Sequence, residues 1–379
     1  MNPGKKKILI VTGEVSGDLH GSRLAAGILR LDPEVEIIGV GGEHLREAGA
    51  RVILDSAQLA VVGITEVLGH FRALLKAYID LKSFIRKSRI TLLILIDFPD
   101  FNLALARIAK EAGIPVLYYI SPQVWAWRSG RIRKIAARVD RMAVIFPFEV
   151  PLYQNAGLPV EFVGHPLLDV GELTQTENSP SPEQWAGEPL VALLPGSRGR
   201  EVKSLLPEMI RAARILEMKK PGIRFILPVA PGFKTQELRQ IVQNSTLSII
   251  IVEGRTYEAI RAAELAIVAS GTATLETAIL GKPMVIVYRV SPLSYGVGKM
   301  LIRVKQVGLV NIVAGKKVVP ELLQGEATGE RMAAEALKIL EDEPYRREML
   351  RSLAEVRTQL GAPGAANRVA RIALEMIQK

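Results

Sequence analysis

Apolar positions in this chain fall in short unbroken runs, separated by stretches in which they recur at helical spacing. In the first half the runs Ile8–Val11, Glu36–Val40, Arg51–Leu54, Leu92–Ile96, Val116–Tyr119, Arg141–Ile145 and Glu161–Phe162 predict buried strands. Leu19–Leu31, Gly69–Lys87, Asn102–Ala112 and Arg131–Val139 predict the helices between them. This alternation is the signature of a doubly wound α/β sheet, which places ligands at the carboxyl ends of its strands.

Thr174–Pro189 (TQTENSPSPEQWAGEP) breaks the pattern and reads as the approach to a second domain. The alternation then restarts. Strands are predicted at Leu190–Leu194, Arg224–Pro228, Leu247–Val252, Leu265–Val268 and Pro283–Tyr288. Helices are predicted at Val202–Met218, Thr235–Asn244, Thr256–Ala263 and Thr274–Leu280. Helices at Gly329–Leu340, Pro344–Leu360 and Gly364–Ile377 finish the chain. The expectation is two Rossmann-like doubly wound domains facing a central cleft. The first covers residues 1–172, with helices from about 345 to 379 returning to it; the second covers 173–344.

Composition narrows the partners. The 379 residues are 49% hydrophobic, include no cysteine and carry a formal net charge of +10. The length suits two domains. The lack of cysteine excludes disulfides and thiolate chemistry and fits a reducing cytoplasm. No run of about 18 uncharged apolar residues is present, and the apolar run near the start is too short for a signal peptide. The positive charge implies an anionic partner. It gathers at Arg72, Lys76, Lys82, Arg86, Lys87 and Arg89, and again at Arg128, Arg131, Arg133, Lys134, Arg138 and Arg141. Nucleic acid is not expected, because no binding motif accompanies the charge. Ala57–Lys87, apolar and then basic, suits either an anionic membrane surface or a core helix with a solvated face.

Lys5–Gly21 (KKKILIVTGEVSGDLHG) runs from a strand through Gly13, Glu14, Ser16, Gly17 and Asp18 into a helix. On strand–turn–helix logic alone this loop is a phosphate cradle, or a tight turn capped by Ser16 or Asp18. Its glycines do not follow G-x-G-x-x-G, and the second strand ends in Gly39, Gly41 and Gly42 instead of a ribose-binding acid, which disfavours NAD. The second domain makes the stronger case for a nucleotide. Leu193–Arg200 (LLPGSRGR) offers Gly196 for close backbone approach, Ser197 as a donor and Arg198 as a fork for phosphate oxygens. Ser270, Gly271 and Thr272 open another helix, and Glu276 one turn on is placed to accept from a ribose diol. Gly13–Asp18 then becomes the facing wall of the cleft, with Glu14, Ser16 and Asp18 on the acceptor side.

Two further stretches bear on chemistry. In Ile96–Asn102 (IDFPDFN), Asp97 ends a very apolar strand and is suited to act as a general base; Asp100 either caps the next helix or faces the acceptor. In Ser121–Arg128 (SPQVWAWR), Trp125 and Trp127 suggest a cleft wall. The four histidines show no metal-ligand spacing. His165, in Gly164-His165-Pro166, reads as structural.

Taken together, GEVSGD (13–18), IDFPDFN (96–102), SPQVWAWR (121–128), LLPGSR (193–198), SGTATLE (270–276) and NIVAG (311–315) resemble the lipid-A-disaccharide synthases, in order and across nearly the whole chain. The resemblance implies a GT-B fold and an inverting, metal-independent glycosyl transfer without a cofactor. The implied donor is UDP-2,3-diacylglucosamine and the acceptor 2,3-diacylglucosamine 1-phosphate (lipid X), at the inner face of the inner membrane of a Gram-negative cell. It makes Asp97 the base and assigns Arg198, Glu276 and Asn311 to the donor site. A homodimer is left open. Phe98 stands where the family often has alanine, and would narrow the pocket beside Asp97. A UDP-N-acetylglucosamine 2-epimerase and a non-enzymatic scaffold are the rival readings.

Overall fold

The computed structural model describes residues 5–13, 15–56, 67–127, 129–174, 185, 189–229, 235–243, 245, 247–290 and 306–378. Glu14, Arg128, residues 57–66 of the apolar–basic stretch and most of the expected interdomain segment lie outside the described residues. The chain divides into two compact units, residues 1–166 with 361–379, and residues 167–360.

The first unit is built on a parallel sheet of β1 (Lys7–Val11), β2 (Glu36–Gly41), β3 (Arg51–Asp55), β4 (Leu92–Ile96), β5 (Val116–Tyr119), β6 (Arg141–Val144) and β7 (Val160–Phe162). Its spatial order is β3-β2-β1-β4-β5-β6-β7. All five residues of β4 are completely buried, as expected of a central strand covered on both faces. The order reverses between β1 and β4, paired from Ile8 with Leu92 to Val11 with Leu95. In doubly wound sheets the carboxyl ends of the strands at such a reversal are where ligands bind.

The second unit repeats the plan with β8 (Leu190–Leu194), β9 (Arg224–Val229), β10 (Ile249–Glu253), β11 (Leu265–Ala269), β12 (Met284–Tyr288) and β13 (Glu321–Leu323), in the order β10-β9-β8-β11-β12-β13. Here the reversal falls between β8 and β11. Trp185, within the segment read as a linker, is buried and takes the Arg255 guanidinium 4.6 Å over its ring.

Several elements differ from the sequence expectation. The three-residue β13 and the helix Leu309–Ala314 are too short to show periodicity. Val124–Trp127, read as loop, is one helical turn, and the helix expected over Arg131–Val139 is confined to Ile132–Ala136. The helix Glu343–Gln359, expected to return to the first domain, packs instead on Thr272–Ile279, Leu309–Ala314 and Gly329–Glu341 within the second unit. Its buried face of Met349, Leu353 and Val356 has its apolar partners there. Only the last helix, Ala365–Gln378, joins the first unit, where it lies along Val15–Leu31. Gly27 permits that approach: a β-carbon there would sit 3.4 Å from the Ala370 methyl.

Arg368 fixes this return. Its guanidinium donates to the carbonyls of Val163 (2.8 Å), Pro363 (2.9 Å) and Ala362 (2.5 Å). Replacing it leaves three carbonyls without this donor, so Arg368→Ala is expected to destabilise the fold by about 1–2 kcal/mol. Urea unfolding checks this, and an unchanged midpoint would show the anchor to be dispensable.

Candidate functional site

In the first unit the site is built at the end of β4. Asp97 (φ +50°) and Phe98 (φ +47°) are consecutive left-handed residues, a turn that costs about 1–3 kcal/mol per residue unless its surroundings enforce it. Asn102 and Tyr118 do so. The Asn102 amide donates to the Ile96 carbonyl (3.1 Å) and the Asp97 carbonyl (2.7 Å), and the Tyr118 hydroxyl donates to the Asp97 carbonyl at 2.6 Å. Burial, reinforced by the negative charge of Asp97, pushes the Tyr118 phenol well above its ordinary range, so it stays a donor. The half-buried Asp97 side chain thus projects from a turn held on its backbone side by two buried groups.

The same turn fixes Phe98. Its ring packs on Phe101 (centroids 5.3 Å apart) and lies against Gly13, where a β-carbon would overlap it. The loops after β1 and β4 therefore touch, and the chain needs glycine at 13 because it has phenylalanine at 98.

Other expected residues have local duties. Asp18 is buried, and its carboxylate accepts from the backbone N–H groups of Gly42 (2.6 Å) and His44 (3.1 Å), closing the turn after β2. Ser16 is exposed at the start of the helix Val15–Leu31. Asp100 makes no side-chain cap; it is 76% exposed and pairs with Arg131 at 2.6 Å. Other members of the basic clusters are engaged too. Arg86 meets Glu111 (3.3 Å), Arg138 donates to the Leu103 carbonyl (3.0 Å) and Arg141 pairs with Glu375 (2.8 Å).

Trp125 packs edge-on against Phe148, which adjoins Glu149, a residue that sequence reading passed over. Glu149 is 1% exposed. It accepts from the Ser121 hydroxyl (2.5 Å) and the Phe146 N–H (3.1 Å), tying the loop after β5 to the loop after β6. Burial outweighs these bonds and raises its carboxyl to about 7. His165, buried against the Phe146 ring, is driven down to about 3 by burial and by His20.

In the second unit the loops after β8 and β11 enclose a cavity of about 590 Å³ at the reversal of strand order. Gly196, Ser197, Arg198, Ser270, Gly271, Thr272 and Glu276 all line it. Gly196 adopts φ +103° and passes under the Glu201 carboxylate, which a β-carbon would strike. That carboxylate accepts from the Arg198 N–H at 3.4 Å and pairs with its guanidinium at 3.4 Å, at the first turn of the helix Gly199–Lys219. The Arg198 side chain is 81% exposed, leaving its fork accessible to an anion. Gly271, at φ 156°, leads into the helix Thr272–Ile279, and the Ser270 hydroxyl donates to the Val307 carbonyl at 3.2 Å. Glu276 is held by the Tyr257 hydroxyl at 3.1 Å, and Tyr257 also lines the cavity. Burial raises the Glu276 carboxyl, and the Tyr257 bond works against that rise.

Asn311, expected among the donor-binding residues, is not at the cavity wall. It is completely buried and its amide is saturated. Its nitrogen donates to the Val319 carbonyl (3.0 Å) and Glu321 (2.7 Å), while its oxygen accepts from Val318 (2.7 Å) and Val319 (3.0 Å). No donor or acceptor is left for a ligand. Glu321 in turn accepts from the N–H groups of Val307 and Gly308, both at 3.0 Å, in the segment that receives Ser270. Through Glu321, Asn311 is tied to the segment whose Val307 carbonyl receives the Ser270 hydroxyl.

Among the described residues, no group of three or more His, Asp or Glu side chains gathers as a metal site, and no helix is long and apolar enough to cross a membrane.

A family model described as Lipid-A-disaccharide synthetase matches residues 8–376. The chain belongs to that family. A lipid-A-disaccharide synthase of Geobacter metallireducens is 49% identical over 99% of this chain and 98% of its own. One of Syntrophus aciditrophicus is 50% identical over 99% and 98%. As a lipid-A-disaccharide synthase family member, the chain is a glycosyltransferase of lipid A biosynthesis. Among solved structures it is similar in fold to S. aureus MnaA with UDP (TM-score 0.66, 15% identity, 99% and 98% covered). It is likewise similar to the Neisseria meningitidis UDP-GlcNAc 2-epimerase bound to UDP-GlcNAc (TM-score 0.65, 12%, 97% and 100%). These neighbours establish two Rossmann-like domains of GT-B type.

Glu149 and His165 pull in opposite directions as pH changes. Glu149 has a folded value above its ordinary 4.5, so its contribution to stability is present at low pH and lost as pH rises to about 7. His165 has a folded value below its ordinary 6.5, so its contribution is present above 6.5 and lost as pH falls towards about 3. Glu149→Gln removes the first slope only. The stability of the variant relative to the natural chain should rise by about 3 kcal/mol between pH 4.5 and 7. Urea unfolding at a series of pH values reads this directly; parallel curves would contradict it.

Proposed function

We propose that this chain moves 2,3-diacylglucosamine from UDP to the 6-hydroxyl of 2,3-diacylglucosamine 1-phosphate, with inversion at the anomeric carbon. The observation that carries the reading is the cavity after β8 and β11. It combines an accessible arginine, two helix N-termini and a partly buried carboxylate, the complement of a nucleoside diphosphate.

In the second unit, Arg198 and the N-termini of Gly199–Lys219 and Thr272–Ile279 meet the diphosphate, and Glu276 accepts from the ribose diol. As the glycosidic bond breaks, negative charge grows on the departing UDP, and these fixed positive groups stabilise it without a metal ion. In the first unit, Asp97 removes the proton of the acceptor's 6-hydroxyl. That oxygen bonds to the anomeric carbon, the carbon–phosphate oxygen bond breaks, and its electron pair leaves with UDP. Asn102 and Tyr118 hold Asp97 by its own carbonyl, so the carboxylate oxygens are not consumed by these two bonds. Glu14, Ser16, Asp100 and Trp125 belong to the acceptor side in this reading, and Asp18 serves it by shaping the loops.

The helix Val67–Lys87 supports contact with the inner face of the inner membrane. Leu75 and Ile79, one turn apart, are 47% and 54% exposed, and basic residues follow them. An apolar strip beside positive charge suits an acylated, phosphorylated acceptor at an anionic surface.

Incubation with UDP-2,3-diacylglucosamine and lipid X, with and without EDTA, tests the reading. Disaccharide 1-phosphate and UDP are expected in both, and no disaccharide in either would overturn it. Asp97→Asn should lower turnover by about 10² or more while calorimetry shows UDP binding retained. Arg198→Ala should weaken UDP about tenfold; unchanged affinity would remove Arg198 from the site.

A further inference from the structure

We propose that Tyr257 is a positioning residue of the nucleotide pocket, whose hydroxyl fixes the Glu276 carboxylate for two-point recognition of a ribose diol. This rests on the nucleoside diphosphate reading of the cavity and adds to it the element that selects ribose over deoxyribose.

The geometry is specific. Glu276 lies in the second turn of the helix Thr272–Ile279, and Tyr257 lies in the helix Thr256–Ala262, which follows β10. Both side chains line the cavity, and the Tyr257 hydroxyl donates to Glu276 Oε1 at 3.1 Å. A carboxylate has about four lone-pair positions on its two oxygens. The tyrosine occupies one on Oε1, which restricts rotation of the carboxyl plane, and among the described residues no hydrogen bond takes up Oε2. Two adjacent hydroxyls of a ribose then find two acceptors at a set spacing, whereas a 2′-deoxyribose fills only one.

The bond has an electrostatic consequence as well. Glu276 must be ionised to accept from both hydroxyls, and burial opposes ionisation. The Tyr257 hydroxyl, donating to the charged form, pulls in the other direction. The remaining titratable groups of the cavity wall are Glu172, Arg198 and Glu201; the last two are paired with one another. Tyr257 is thus the neighbour whose hydrogen bond holds Glu276 in its accepting form.

Calorimetric titration of UDP and of 2′-deoxy-UDP into the full chain, from about pH 5 to 8, tests the proposal. In the natural chain UDP should bind about tenfold more tightly than 2′-deoxy-UDP. Tyr257→Phe should weaken UDP about fivefold, leave 2′-deoxy-UDP nearly unchanged, and move the acid loss of UDP affinity to higher pH. The titration of the nucleotide's own phosphate is common to both chains and cancels in the comparison. In a Glu276→Gln background, Tyr257→Phe should have no further effect. Tyr257→Phe that weakens both nucleotides equally with an unmoved pH profile, or leaves both unchanged, would overturn the proposal. A natural chain that binds no UDP would overturn the nucleotide reading itself, an outcome separable from failure of the tyrosine alone.

Discussion

Parallel strands covered on both faces leave no side chain free for chemistry along their length. Every residue of β4, β8 and β11 faces apolar neighbours, apart from the slight exposure at their ends. Function is therefore pushed to where strands stop, and the reversal of strand order decides which ends lie open. In the first unit this selects Gly13 and Asp97; in the second it selects Gly196 and Ser270. The two polar loop pairs follow from one topological rule applied twice.

Each loop pair solves the problem of turning sharply in its own way. After β4 the chain accepts two left-handed non-glycine residues and restrains them with Asn102 and Tyr118. After β8 and β11 it uses glycine, at Gly196 and Gly271, both at positive φ. The phenylalanine at 98 belongs to the first solution. It fills the space over Gly13 and joins the two loops of that unit into one packed surface.

What the sequence revealed followed from chemistry that repeats in one dimension. The apolar runs predicted the strands of both sheets except β13, and the polar turns after them included seven residues that line one cavity. What it concealed depended on contacts between distant positions. The resemblance alone assigns Asn311 to the donor site, and the sequence does not show that Val318, Val319 and Glu321 saturate its amide. Glu149, in PFEV, reads as an ordinary surface acid until Ser121 and Phe146 close over it. Tyr257 has no motif at all, and its role exists only because Glu276 lies opposite. The change of unit falls at 166/167, ahead of the break at Thr174–Pro189, and the returning segment is shorter than expected because Met349, Leu353 and Val356 point into the second unit.

The return of Ala365–Gln378 makes the first unit discontinuous, with the whole second unit inserted between Pro166 and Gly361. During synthesis the inserted unit has all its strands and helices available before the first can cover the helix Val15–Leu31. The first unit must wait with Gly27 and its surroundings bare until the last turns of chain emerge. Order of completion thus runs opposite to order of appearance: the half bearing Arg198 and Glu276 can close while the half bearing Asp97 is still open.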